Sequence, residues 1–435
     1  MKENFRGLDY TNLYNESGRV SKIIGPIVEG TLPGASVGGI CYIYHPIKGK
    51  IEAEIIGFKD SIALLMPTDS TLGITMGARI ELVKGTSSVA VGPWMIGKLL
   101  DGQGRLLPQG TRGPESESES RAVQREALAP TDRRNISERF VTGIRSIDST
   151  IPVGLGQRLA IMAASGVGKS VLMGMIAKHS SADINVIALI GERGREVTEF
   201  LEKDLGPEGM KKSIVVAVTS DQSPVLRVRG AYVATTIAEY FRDQGKNVLL
   251  MMDSVTRFGM ALREIGLASG EPPTTKGYTP SVFNQLPRLL ERAGAKKKSG
   301  SITGLYTVLV ESNDFDDPLA DAVKSILDGH VVLSRELAAR NFYPAIDVLN
   351  SISRLNKLLL NERELTLNAQ IRETLEVYKS AEDLINIGGY RKGNNPNLDR
   401  AIEIYPKVIA NLKQKIDEDV TLENTISSFE AVFRG

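Results

Sequence analysis

The spacing of apolar residues divides the chain into regions of different character. From Gly18 to about Gly85, short β-rich runs alternate with glycine and proline punctuation. Arg19–Ile24, Gly39–Tyr44, Lys50–Ile56, Ser61–Met66 and Ala78–Val83 are the predicted strands, and this spacing predicts a small closed barrel. From Gln157 to about Leu349, near-continuous apolar runs of strand length alternate with helical patterns. Strands are expected over 184–190, 213–218, 247–252 and 302–310, with helices over 196–205, 226–243 and 282–292. Such strands suit a parallel sheet covered on both faces. From about Ser353 the pattern is helical and charged, with a long amphipathic stretch from Ala369 to Leu384. Residues 1–17 read as a loosely ordered arm. Residues 101–138 read as a connector, whose acidic run from Gly113 to Arg121 is expected to be a solvated loop.

Composition narrows this picture only a little. At 435 residues the chain exceeds one ordinary hydrophobic core, so two or three domains are expected. With 53 basic and 52 acidic residues, global charge points to neither a nucleic-acid nor a membrane surface. The cluster Lys296–Lys298 is the single basic hint, and it reads as a solvated loop. Cys41 sits in an apolar run and is expected in the core, without a disulfide, as suits a reducing cytosol. No secretory signal is expected in the polar first residues, nor any membrane span. His45, His179 and His330 show no metal-ligand spacing, so any metal should arrive with a ligand.

The chemistry centres on Ala163-Ala164-Ser165-Gly166-Val167-Gly168-Lys169-Ser170, set between an apolar strand and an apolar-periodic helix. This is the phosphate-binding loop pattern, with alanine replacing the first glycine. Gly166 and Gly168 can take positive φ, which turns backbone N–H groups inward on a phosphate. The helix that follows adds its N-terminal partial charge. Lys169 would reach the β- and γ-phosphates, and the Ser170 hydroxyl would hold Mg2+.

Two strands end in carboxylates. Asp253 closes the run 247–253, the place of a Mg2+-side aspartate in a phosphate-loop fold. Glu192 closes the preceding strand, at the sheet edge that faces the nucleotide, and is placed to activate the attacking water. Capping of the helix that follows is the alternative role for Glu192.

Longer motifs carry a family resemblance. Gly191-Glu-Arg-Gly-Arg-Glu-Val-Thr-Glu-Phe200, Asp253-Ser-Val-Thr-Arg-Phe258, Arg263–Pro273, Gly277–Phe283, Leu289–Gly294, Gly300–Thr303, Ile326–Arg335 and Tyr343–Val348 with Ser351–Arg354 resemble signatures of the rotary-type ATPases. Within them, the motifs are similar to the type III secretion branch, with flagellar export nearer than virulence-associated injectisomes. The resemblance implies an α/β RecA-like core with an N-terminal β-barrel and a C-terminal helical domain. The expected boundaries are 1–17 for the arm, 18–90 for the barrel, 91–350 for the ATPase domain and 351–435 for the helical domain.

It also implies roles. Arg193 and Arg257 match arginines near the γ-phosphate, Tyr343 the aromatic that stacks on adenine, and Arg354 an arginine finger lent to a neighbouring subunit. A core tyrosine beside Pro344 is the alternative for Tyr343. The implied enzyme is an ATPase using ATP and Mg2+, assembled as a homohexameric ring. Its implied partners are a regulator or stator, a central stalk, the membrane export gate, exported substrates and their chaperones. It would lie in the cytoplasm at the inner-membrane export apparatus, peripherally attached and without nucleic acid. A hexameric nucleic-acid translocase and a non-catalytic rotary subunit are the rival readings; the latter generally lack the carboxylate present at Glu192. Two departures stand out: Ala164 where the family usually has glycine, and Glu311-Ser-Asn-Asp314 in place of Glu-Gly-Asp-Asp.

Overall fold

A computed structural model describes residues 17–83, 87–310 and 317–434. The expected arm lies outside the described residues except for Ser17, as does the whole of Glu311–Asp314.

The first unit is a closed six-stranded barrel: β1 (Ser17–Ile24), β2 (Ile27–Thr31), β3 (Ile40–His45), β4 (Gly49–Lys59), β5 (Ile62–Pro67) and β6 (Arg79–Leu82), in the order β1-β2-β5-β4-β3-β6. All five expected strands form, and β2 is an addition. Its sequence includes Gly30, which reads as punctuation, yet a Cβ there would lie 2.3 Å from Ile80 Cδ1 inside the barrel. The glycine leaves room for the Ile80 side chain against the inner face of β2. Val28, Cys41, Ile43, Ile55, Leu65 and Ile80 fill that interior, so Cys41 is a core thiol. Burial pushes its pKa up to about 12.

The second unit is a mostly parallel sheet, ordered β14-β13-β8-β12-β11-β9-β10-β7. These strands are β7 (Leu99–Leu100), β8 (Arg158–Ala163), β9 (Ile184–Glu192), β10 (Ser213–Thr219), β11 (Asn247–Asp253), β12 (Ser301–Leu309), β13 (Gly329–Leu333) and β14 (Ile346–Ser353). Only β14 runs antiparallel along this path, paired with β13. Helices α1 (Lys169–His179), α2 (Gly194–Glu199), α3 (Pro224–Asp243), α4 (Val255–Ala268), α5 (Pro280–Leu290) and α6 (Pro318–Ile326) accompany it. Two buried apolar clusters, one on each face, account for the continuous hydrophobicity of the central strands. The barrel docks on α3 through Ile27, Leu64 and Met66 against Val225, and through an Arg229–Glu52 ion pair.

The third unit is helical: α7 (Glu362–Asn386), α8 (Pro396–Leu412) and α9 (Leu422–Arg434). α7 opens with Asn361 accepting from Glu364 N–H, while Glu364 accepts in return from Asn361 N–H, a reciprocal cap that sequence spacing allows.

Two loop expectations are corrected. The acidic run is exposed as expected, but its end is not a loop: Glu119–Ala122 is a strand paired with Ser88–Val91, and Arg121 binds Asp243 at 2.9 Å. Lys296 meets the same carboxylate at 2.9 Å, so it is an ion-paired residue holding the connector rather than part of a free loop. Charge concealed this, because Arg121 and Lys296 share one partner, Asp243 at the end of α3, that is distant from both in sequence.

Candidate active site

The parallel strands bring their carboxyl ends to one edge, and four sequence-predicted residues meet there. Ala163 ends β8, and the loop turns through Gly166 (φ 80°) and Gly168 (φ 90°) into α1. Neither Ala163 nor Ala164 takes positive φ, since the described non-glycine residues that do are Asp60, Lys276, Lys298 and Asn341. Alanine at both positions is therefore compatible with the loop without backbone strain.

Lys169 opens α1 and its ammonium binds Asp253 Oδ1, with Glu192 Oε1 3.6 Å away. Asp253 also accepts from Thr307 Oγ1 at 2.6 Å. Thr307 escaped the sequence reading; the strand also carries Ser301, Thr303 and Tyr306, so one more hydroxyl gave no distinct signal. Glu192 Oε1 is buried and has no hydrogen-bond partner. Burial foremost, then the Asp253 charge, pushes its pKa up to about 7, against the opposing pull of Lys169. The N-terminal bond of α2 is made by Glu196, whose Oε2 accepts from Arg193 N–H at 3.2 Å. Capping of that N–H thus falls to Glu196, leaving the Glu192 carboxylate facing Lys169.

The other predicted residues are placed unevenly. Tyr343 precedes β14, at the same edge; a Cβ on Gly168 would lie 3.5 Å from its ring. Tyr343 is 43% exposed whereas its neighbour Phe342 is buried at 5%, so the core aromatic here is Phe342. The Arg257 stem packs against Gly191, where a Cβ would come within 2.8 Å of Arg257 Cβ. Its Nε is buried without a partner. Arg193 points outward, its side chain 79% exposed, and does not join the Lys169 cluster.

Arg354 lies on the opposite edge. It follows β14, its backbone N–H donating to Asp328 O at 3.0 Å. Asp328 in turn accepts from Arg158 Nε and Nη2, each at 3.2 Å, at the start of β8. The rise of β8 separates these edges by roughly 17 Å.

No cluster of His, Cys, Asp or Glu with metal-site geometry occurs among the described residues. The cluster does fit a divalent cation delivered with a polyphosphate. Two largely buried carboxylates face one ammonium, leaving an excess negative charge beside the loop that carries Ser170.

The model of the ATP synthase alpha/beta family nucleotide-binding domain matches residues 143–353, and that of the T3SS EscN ATPase C-terminal domain matches 360–431. The chain is 50% identical to a flagellum-specific ATP synthase of Bacillus subtilis, over 98% of this chain and 97% of that protein. It is 44% identical to a type 3 secretion system ATPase of Xanthomonas euvesicatoria, over 95% and 93% respectively. Among solved structures, the assembled ATPase EscN of the enteropathogenic E. coli type III secretion system superposes with a TM-score of 0.90 at 43% identity, covering 95% of this chain and 99% of that one. EscN is also known in complex with its central stalk EscO. With a phosphate loop, facing carboxylates and these likenesses along nearly its full length, the chain belongs to the ATP synthase alpha/beta family, in the group of flagellum-specific ATP synthases and type 3 secretion system ATPases, and is an ATP-hydrolysing enzyme.

Proposed function

We propose that the chain hydrolyses ATP to ADP and phosphate to energise export of flagellar proteins during flagellum assembly. The observation that carries the catalytic part is Glu192: buried, unpartnered at Oε1 and 3.6 Å from the phosphate-loop lysine. In its ionised form it takes the proton of a water whose oxygen bonds to the γ-phosphorus while the β–γ bridging bond breaks. Lys169 leaves Asp253 for the phosphates, which it neutralises together with the loop N–H groups. Ser170 and Asp253 would hold Mg2+, which when bound neutralises the β- and γ-oxygens. Tyr343 supplies a stacking face for adenine beside the loop, and Arg257 a second cation near the γ-phosphate. Arg193 would have to turn inward to do the same.

Arg354 is out of reach of its own loop and would serve a neighbour. Identical subunits then complete one another head to tail, which closes into a hexameric ring. The assembled EscN and its complex with a central stalk support an assembly of this chain, with a stalk partner, too. A stator, the export gate and chaperoned substrates complete the proposed set of partners, at the cytoplasmic face of the inner membrane. No helix of the described residues is long and apolar enough to cross a membrane.

The greater identity to the Bacillus subtilis protein (50%) than to the Xanthomonas one (44%) favours flagellar over virulence-type export. The test is complementation. In a flagellated bacterium lacking its export ATPase, this chain should restore secretion of hook and filament protein. Rescue of an injectisome mutant alone would favour the alternative, and no turnover by the purified chain would overturn the enzymatic reading.

A further inference from the structure

Gln414 follows α8 in the C-terminal domain, is 6% exposed, and plays no part in the chemistry above. Its amide makes three bonds: Oε1 accepts from Arg145 N–H at 2.8 Å, and Nε2 donates to Gly143 O at 2.8 Å and Glu418 O at 3.1 Å. Its backbone N–H donates to the carbonyl of Tyr343 at 3.1 Å. Arg145 reinforces the attachment, its Nη1 donating to Asn411 O and Lys413 O at 3.1 and 3.0 Å and its Nη2 pairing with Glu418. These carbonyls are orphan acceptors at the end of α8, so the arginine caps that helix from another domain. Lys413 completes the contact, its ammonium 5.6 Å from the centre of the Phe342 ring.

We propose that Gln414 is a positioning residue for recognition of the nucleotide base. It rests on the reading of Tyr343 as the base-stacking residue, and deepens it. The phenol ring lies beside Gly168 and is 43% exposed, and its one hydrogen bond is a long one, the hydroxyl donating to Ala338 O at 3.4 Å, so its position depends largely on where its backbone is held. That backbone is held by Gln414, and Gln414 is held by residues 143–145, ahead of β8. A shift of α8 relative to the core would therefore move Tyr343 relative to the phosphate loop. Base affinity becomes a function of the C-terminal domain's position, while the phosphate subsite, built on β8 and α1, is left alone.

Gln414→Leu keeps the side chain's size and removes all three amide bonds. In the full-length protein, ADP and inorganic tripolyphosphate are the two probes, titrated against the variant and the unaltered chain. ADP binding should weaken on the order of tenfold, within the range of one base–aromatic stack, while tripolyphosphate binding stays unchanged. In a Tyr343→Ala background the same substitution should add no further loss. Unaltered ADP affinity, equal weakening of both probes, or full additivity with Tyr343→Ala would each overturn the proposal. If Gln414→Leu fails to fold, Arg145→Gln releases the same segment from the other side and must give the same split. Should Tyr343→Ala alone leave ADP affinity intact, the stacking reading fails instead, which the same titrations reveal separately.

Discussion

Lys169 and Arg354 stand at opposite edges of one parallel sheet. Lys169 follows the carboxyl end of β8, and Arg354 hangs from Asp328, which Arg158 grips at the amino end of the same strand. Strand β14 links the two functions, with Tyr343 just before it on the phosphate-loop edge and Arg354 just after it on the other. On the proposed reading, a chain so built carries most of one site and a small part of another.

Glu192→Gln preserves shape but cannot accept a proton. Turnover should fall on the order of 10²–10⁴-fold, with Mg·ATP affinity retained because the loop and Lys169 are untouched. Steady-state kinetics with a parallel nucleotide titration measures both; near-normal turnover would remove Glu192 from the reaction.

The raised pKa of Glu192 sets a pH limb. The ionised carboxylate is the competent form, so kcat/KM, which reports the free enzyme, should rise with pH through about 7. The residual activity of Glu192→Gln should lack that limb. Linkage runs the other way for stability: a carboxylate raised from 4.5 to about 7 contributes less to folding as pH climbs through that window. The site thus keeps a base that the fold would rather see protonated.

Tyr343→Ala should raise KM for ATP more than it lowers kcat, because stacking contributes similarly to ground and transition states. Unchanged KM for both ATP and GTP would exclude the stacking role.

Arg292 is fully buried, and its Nε and Nη2 donate to the Glu239 carboxylate at 2.9 and 2.7 Å, with Nη1 donating to Val123 O at 2.8 Å. Arg292→Met would leave the buried Glu239 carboxylate with only Arg125, 3.7 Å away, at a cost of about 3–5 kcal/mol. Replacing Glu239 by Gln at the same time should recover part of that loss. Denaturant unfolding of both variants provides the check, and additive losses would show that the two residues act independently.

The sequence was most readable where local pattern and chemistry coincide. Val28 and Ile80 meet inside the barrel, yet β2 does not stand out in the sequence, because Gly25-Pro26 before it and Pro33-Gly34 after it mark the stretch as turn punctuation. Lys169, Ser170, Glu192 and Asp253 announce themselves, since a loop and two strand ends need only local spacing. Thr307 and Gln414 do not: each matters through a partner that is distant in sequence, Asp253 for one and Tyr343 for the other. Arg121 misled in the opposite sense, since its charge suggested solvent while its partner, Asp243, lies at the end of α3.

An active site completed by a neighbour is tested by mixing two inactive variants. Arg354→Ala removes the finger, worth roughly 10³–10⁵ in rate, and Glu192→Gln removes the base. Each variant alone should be nearly inactive, yet mixed rings contain interfaces that pair an intact Glu192 with an intact Arg354. ATPase activity should therefore reappear on mixing and reach its maximum near equal proportions. If the mixture stays as inactive as its components, although rings of both variants form and exchange subunits, the shared site is contradicted.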